Sequence, residues 1–141
     1  MNAEHVKIAK QGFKAMQAWA EANPDKTFDL SGATFVKPVS VSGLTFKNFI
    51  AVDATFRNFD AEDATFGDFN ADGANCKNFF ADDATFGNFS ARNTTFEKFF
   101  AADATLGNFN AKDTMFGYFN VRGATVVIGN RRCQLCLVPT P

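Results

Sequence analysis

The chain has 141 residues, with 14 Lys+Arg against 15 Asp+Glu, and this near balance excludes a polybasic surface for nucleic acid or anionic lipid. The length suits one domain with a real core, and no apolar run approaches a membrane span. Cys76, Cys133 and Cys136 are an odd set that argues against a disulfide framework, and the polar start, with Lys7, Lys10 and Lys14, does not read as a secretory leader, so the expected compartment is the cytoplasm.

From about residue 4 to 22, Val6, Ala9, Phe13, Met16 and Ala20 recur at steps of three and four, with Trp19 on the flank. That spacing predicts a helix. Asn23-Pro24-Asp25 ends it. Residues 1–27 are read as a helical cap and linker, 28–128 as a repeat region, and 129–141 as a tail that caps the last coil or contacts a second copy.

The repeat is written in phenylalanine. Phe46, Phe56, Phe66, Phe86, Phe96 and Phe116 lie on a ten-residue grid, and a second Phe series, Phe49 to Phe119, follows three residues behind it at every decad. The decad splits into two pentads, one of the type Ala54-Thr55-Phe56 and one of the type Phe69-Asn70-Ala71. Each has an apolar centre and an apolar residue two positions before it. Two apolar positions in five fit neither the helical period nor sustained strand alternation. They fit a short strand and a tight turn, repeated.

Ala54-Thr55-Phe56-Arg57-Asn58, Ala84-Thr85-Phe86-Gly87-Asn88 and Ala74-Asn75-Cys76-Lys77-Asn78 keep one register over roughly residues 28 to 128. In this the chain resembles the pentapeptide-repeat family, whose unit is written A-(D/N)-(L/F)-x-x. The resemblance implies an all-β fold, a right-handed quadrilateral β-helix in which four pentads form one square coil. The chain departs from the pattern by exchanging Phe and Ala between alternate pentads, a change expected to alter how the core is filled and to leave the fold intact.

Pentad centres fall at Leu30 and Phe35, then, after a six-residue step containing Pro38, at every fifth residue from Val41 to Val126. Those twenty pentads make five coils, a rod about 24 Å long at the strand spacing. The step is expected to form a bulged corner. Two faces carry large centres, Phe35, Phe56, Cys76, Phe96 and Phe116 opposite Phe46, Phe66, Phe86, Leu106 and Val126. The other two carry small centres such as Ala51, Ala71, Ala61 and Ala81, with Phe two positions earlier. Four Phe and four small residues per coil fill a square section that eight Phe would overfill. The Phe rows are therefore core.

Catalysis finds little support, and neither a cofactor nor a metal is expected. His5 is the only His, and as a lone helical imidazole it is expected at the surface. Asp53, Asp63, Asp83, Asp103 and Asp113 recur as turn residues that bond their own backbone. A repeat gives them like environments, whereas acid–base pairs need unlike ones. Cys133 and Cys136 form one C-x-x-C with no second ligand pair, read as part of an apolar segment over the last coil unless two subunits share a metal.

Three surface features point to binding. Thr45, Thr65, Thr85, Thr105 and Thr125 form one outward row beside Lys47, Gly67, Gly87, Gly107 and Val127. Ice-binding solenoids use Thr ranks of this kind, but in pairs; a single row also suits β-propensity and hydroxyl bonding along the ladder. Phe80 and Phe100 stand at an outward position held by Asp60 and Asn120 one coil before and after. With Asp60, Glu62, Asp63, Asp82, Asp83 and Asp103 close by, they are read either as a solvent-exposed partner site or as rings covered by the cap or tail. Third, residues 43–126 hold eleven Asp/Glu and seven Lys/Arg, an acidic excess. The resemblance implies a possible target for that excess, since some family members protect DNA gyrase as negatively charged mimics of DNA, usually as dimers joined at their C-terminal ends.

The expected function is a non-catalytic binding or scaffold module that offers a rigid rod to a protein partner, with no direct nucleic acid and no membrane. The alternative is a DNA mimic acting on a type II topoisomerase, and ice binding stands third. Homodimer contacts are expected at Val127, Ile128, Leu135 and Leu137.

Overall fold

The structure, a computed structural model, describes residues 2–128 and 131–134, with Ile128 and 131–134 described by backbone alone. Two short helices, α1 (Ala3–Gln11) and α2 (Phe13–Ala22), precede the strands. The predicted single helix is broken at Gly12, whose φ of 111° no L side chain adopts readily. The Gly12 N–H donates to Ala9 O at 3.3 Å, which closes α1. Asn2 caps α1 by accepting from His5 N.

The repeat region winds as a β-solenoid of about five turns. One sheet stacks β1 (Thr27–Asp29), β4 (Thr45–Ile50), β6 (Thr65–Asn70), β8 (Thr85–Ser90), β10 (Thr105–Gly107) and β12 (Thr125–Ile128) in parallel, and β13 (Arg131–Gln134) adds antiparallel to β12. The facing sheet stacks β2 (Thr34–Phe35) and β3 (Val39–Ser40) on β5 (Thr55–Asp60), followed by β7 (Asn75–Phe80), β9 (Thr95–Phe100) and β11 (Met115–Asn120).

Spacing explains the square section. Buried positions run Leu44, Phe46, Phe49, Ala51, Ala54, Phe56, Phe59, Ala61, alternating steps of two and three. A step of two keeps one side of the coil flat, and a step of three leaves two successive residues outside, so the chain turns a corner there. Half the corners are bends inside six-residue strands. The others are tight turns such as Ala51–Ala54, closed by Ala54 N–H donating to Ala51 O at 3.1 Å. Their third residue has positive φ, as in Asp53, Asp63, Asp83, Asp103 and Asp113 at 58–61°, Asn93 at 55° and Gly73 at 74°. This is a type II turn, and it selects residues that tolerate the left-handed region.

The six-residue step also falls where expected. Phe35 pairs with Phe56, twenty-one residues on, whereas Val39 pairs with Phe59, twenty on, so the extra residue lies between them.

Rings stack along the rod and meet edge-to-face across it. Phe79 and Phe99 lie 5.2 Å apart at 4°, Phe66 and Phe86 5.1 Å apart at 10°, while Phe69 meets Phe79 at 5.8 Å and 75°. Both geometries are favoured by the ring quadrupole. Toward the C-terminal end the core thins: Ala111, Phe116 and Phe119 are only partly buried, because β11 has no further parallel strand beside it among the described residues. Phe69→Ala should therefore destabilise the protein by about 3–5 kcal/mol, and Phe80→Ala by about 1 kcal/mol or less, in denaturant titrations.

The cap seats on the first coil through rings. Trp19 lies 4.8 Å from Phe28 and 6.2 Å from Phe46, and Met16 and Ala20 are buried. Phe13, expected in this seal, is exposed, because the break at Gly12 resets the face that α2 presents. His5, expected at the surface, is half-buried: its ring stacks on Phe28 at 4.7 Å and 13°, and Nδ1 accepts from Asp29 N at 3.0 Å. Burial pushes this imidazole below its ordinary 6.5, against the opposing pull of Asp29 and Glu4. The unfolded chain therefore takes up the proton first as pH falls below 6.5, and stability is lost across that window until the folded imidazole also titrates. Thermal midpoint should drop between about pH 7.5 and 5.5, with Trp19 fluorescence reporting loosening of the cap, and His5→Phe should flatten the slope.

Candidate functional site

In most tight turns the N–H of the second residue finds a side-chain acceptor on the residue ending the preceding strand: Asp60 Oδ1 accepts from Glu62 N, Asn70 Oδ1 from Asp72 N, Asn110 Oδ1 from Lys112 N and Asn120 Oδ1 from Arg122 N, at 2.9–3.2 Å. These are Asx turns. Backbone bonding thus belongs to the strand-end residues. The positive-φ aspartates, to which the sequence reading assigned it, serve through backbone conformation instead. Ile50 and Phe80 cannot serve as acceptors, and among the described residues no side chain accepts from Val52 N or Asp82 N.

Phe80 and Phe100 occupy this strand-end position on one corner of the solenoid. Asp60, Phe80, Phe100 and Asn120 are in register on successive coils. A Phe cannot accept the turn N–H, and at Ala102 the job passes to Asp82 Oδ1 of the preceding coil, at 2.9 Å. At Phe100 the substitution thus abandons a bond that most turns make, and an aspartate one coil away restores it; at Phe80 no side chain among the described residues takes it over.

The two rings stack at 5.4 Å and 7°, and Tyr118, half exposed at 52 %, leans on Phe100 at 5.4 Å. Stacking leaves Phe80 and Phe100 half-buried, less exposed than their isolated outward positions imply. Neither cap nor tail supplies a ring contact to them among the described residues. Tyr118 completes a short aromatic row that sequence reasoning missed. The available signal was positional: the only Tyr stands in the column held by Asn58, Asn78 and Lys98 on the preceding coils.

Acid gathers on the same corner. Asp63, Asp83 and Asp103 are exposed at turn tips, with Asp60, Glu62 and Asp82 half-buried beside them. Glu62 is raised above its ordinary value, first by its own burial and then by Asp60, Asp82, Asp63 and Asp83. Lys98 and Arg122 bound the patch toward the C-terminal end. On the opposite corner acid is neutralised instead: Asp72 accepts from Arg92 at 2.7 Å and from Ser90 Oγ at 2.6 Å.

The Thr row is in register from Thr45 to Thr125. Side-chain bonds between coils on that face run beside it, from Asn88 to Asp68 at 2.6 Å and from Asn108 to Asn88 at 2.5 Å. Among the described residues, no hydrogen bond joins the Thr hydroxyls into a ladder of their own. A Cβ at Gly67, Gly87 or Gly107 would run into the carbonyl oxygen of the coil before, so glycine lets the three middle strands of this face close as they do.

No group of three or more His, Cys, Asp or Glu is placed to hold a metal among the described residues. Cys76 is buried within its column, in register between Phe56 and Phe96, and burial pushes its thiol up to about 12. No described helix is long and apolar enough to cross a membrane. Of the expected dimer contacts, Val127 is half-buried, whereas Leu135, Leu137 and the side chain of Ile128 lie outside the described residues, as do Cys136 and the side chain of Cys133. Comparison with family models, curated proteins and solved structures finds no match for the chain.

Proposed function

We propose that this is a non-catalytic binding protein of the pentapeptide-repeat type, a rigid rod that meets a protein partner at the corner formed by Phe80, Phe100, Asp60, Asp82, Asp83 and Asp103. The observation that carries the reading is the stacked, half-exposed Phe80–Phe100 pair at positions where the other coils of the same corner place the turn-bonding residues Ser40, Asp60 and Asn120. Outward residues of a solenoid contribute little to its core, so they are free to be selected for recognition. Aromatic side chains anchor interfaces well because they bury large area at small entropic cost.

In a crosslinked pull-down, wild type should retain proteins that a Phe80→Ser, Phe100→Ser variant loses, while circular dichroism of the two coincides. Capture of the same set by a folded variant removes the corner as the site. Unfolding of the variant would instead show that these rings support the core.

The clustering of acid around Glu62 favours a second reading, a DNA mimic acting on a type II topoisomerase. It requires inhibition or protection in a gyrase supercoiling assay at micromolar protein, and an unchanged assay rejects it.

A further inference from the structure

Granting that the Phe80/Phe100 corner is the binding site, its chemistry narrows the partner. We infer that the occupant is a short, arginine-rich basic segment, laid along the corner so that guanidinium groups stack on the aromatic row while the turn-tip carboxylates pair with them.

Three observations converge. The row of Phe80, Phe100 and Tyr118 offers half-exposed ring surface on consecutive coils, the second ring parallel to the first at 5.4 Å. Guanidinium planes are attracted to such faces, more so than compact ammonium groups, which hold their hydration tightly. The carboxylates beside the row crowd together: Glu62 is raised first by its own burial and then by Asp60, Asp82, Asp63 and Asp83. The like-charge repulsion among these groups is what a bound cation would relieve.

The third observation is restriction. Asp72 on the opposite corner is already paired with Arg92, and Arg57, Lys77 and Lys98 interrupt the acid on the neighbouring face. The negative potential therefore follows one edge for about three coils, roughly 10–15 Å at the strand spacing. That length suits a few basic residues. A surface that mimicked duplex DNA would need negative charge spread far more widely along the rod.

The turn geometry supplies a clean test. Asn93 holds the left-handed conformation in the same turn position as the aspartates, with φ of 55°. A variant carrying Asp63→Asn, Asp83→Asn and Asp103→Asn should therefore keep its fold and lose three charges. Asp53→Asn with Asp113→Asn removes carboxylates from the opposite corner as a control.

The probe is a fluorescein-labelled eight-residue peptide of alternating Arg and Gly, with its Lys–Gly counterpart, measured by fluorescence anisotropy in low salt. Wild type should bind the Arg peptide at least threefold more tightly than the Lys peptide. The triple variant and Phe80→Ser should each weaken the Arg peptide about tenfold or more, while the double control changes it less than twofold. Equal losses in the triple variant and the control would mean diffuse attraction and would overturn the inference. So would an unchanged affinity in Phe80→Ser, or absence of Arg-peptide binding by wild type. If wild type ignores the peptide yet still captures a partner that the Phe80→Ser, Phe100→Ser variant loses, the basic occupant is wrong and the corner stands as a binding site. If neither occurs, both fail.

Discussion

Everything in this molecule rests on a volume constraint inside the coil. Eight side chains point inward per turn of the solenoid, and the section closes only because large and small residues are distributed evenly among them. In the second coil the set from Phe46 to Ala64 holds four Phe and four Ala, all buried. Each Phe lies against the equivalent ring of the next coil at 5.0–5.8 Å where the series is unbroken, as with Phe46–Phe66, Phe59–Phe79 and Phe89–Phe109. The order within the pentad is secondary to this balance, so exchanging Phe and Ala between alternate units leaves the section intact. A core filled in this way is dry and close-packed, and each buried ring contributes roughly 2–3 kcal/mol before conformational entropy is counted.

The same constraint dictates what the outside can vary. With the inward positions spoken for, the corners impose only two further demands. One residue per tight turn must accept positive φ, and one N–H per turn is met by a side-chain oxygen in all but the Val52 and Asp82 turns among the described residues. Asp, Asn and Gly at the first position and Asp, Asn or Ser at the second follow from those demands without any appeal to function. Much of the acid on the rod is therefore structural in origin. A charged patch becomes informative only where it coincides with a residue that violates the corner rules, and Phe80 and Phe100 are such residues.

How much of this was legible depended on whether a feature repeated. Periodicity alone placed the coil, its register, the extra residue before Pro38 and the inward Phe rows, because twenty units each testified to one arrangement. It placed Phe80 and Phe100 outward beside Asp60 and Asn120 for the same reason. Features that occur once were misread. Gly12 interrupts an otherwise helical pattern, and spacing of apolar residues does not reveal that its φ is 111°. His5 sits in a helix with polar neighbours, and nothing local announces that it will stack on Phe28 and accept from Asp29 N. The division of labour in the turns was also hidden. Asp at the third position and Asx before the turn can both bond backbone by composition, and only the observed φ values separate them.

The Asp82 substitution for a missing acceptor bears on how such a rod acquires a binding site. Replacing the strand-end residue by Phe at position 100 would strand the Ala102 N–H, and a buried or half-buried amide without a partner is costly. Asp82 reaches across one coil and supplies the bond at 2.9 Å, as Asp72 does for Arg92 on the other corner, also at 2.9 Å. An acceptor can thus be lent from the coil before whenever the second turn position is aspartate. That tolerance decouples the strand-end position from its structural duty and frees it for an aromatic ring. It also brings acid and aromatic together: Asp82 lends its Oδ1 to Ala102 N and stands on the same corner as Phe100. The acid–aromatic pairing that makes the corner a candidate for basic partners thus includes a carboxylate with a structural duty.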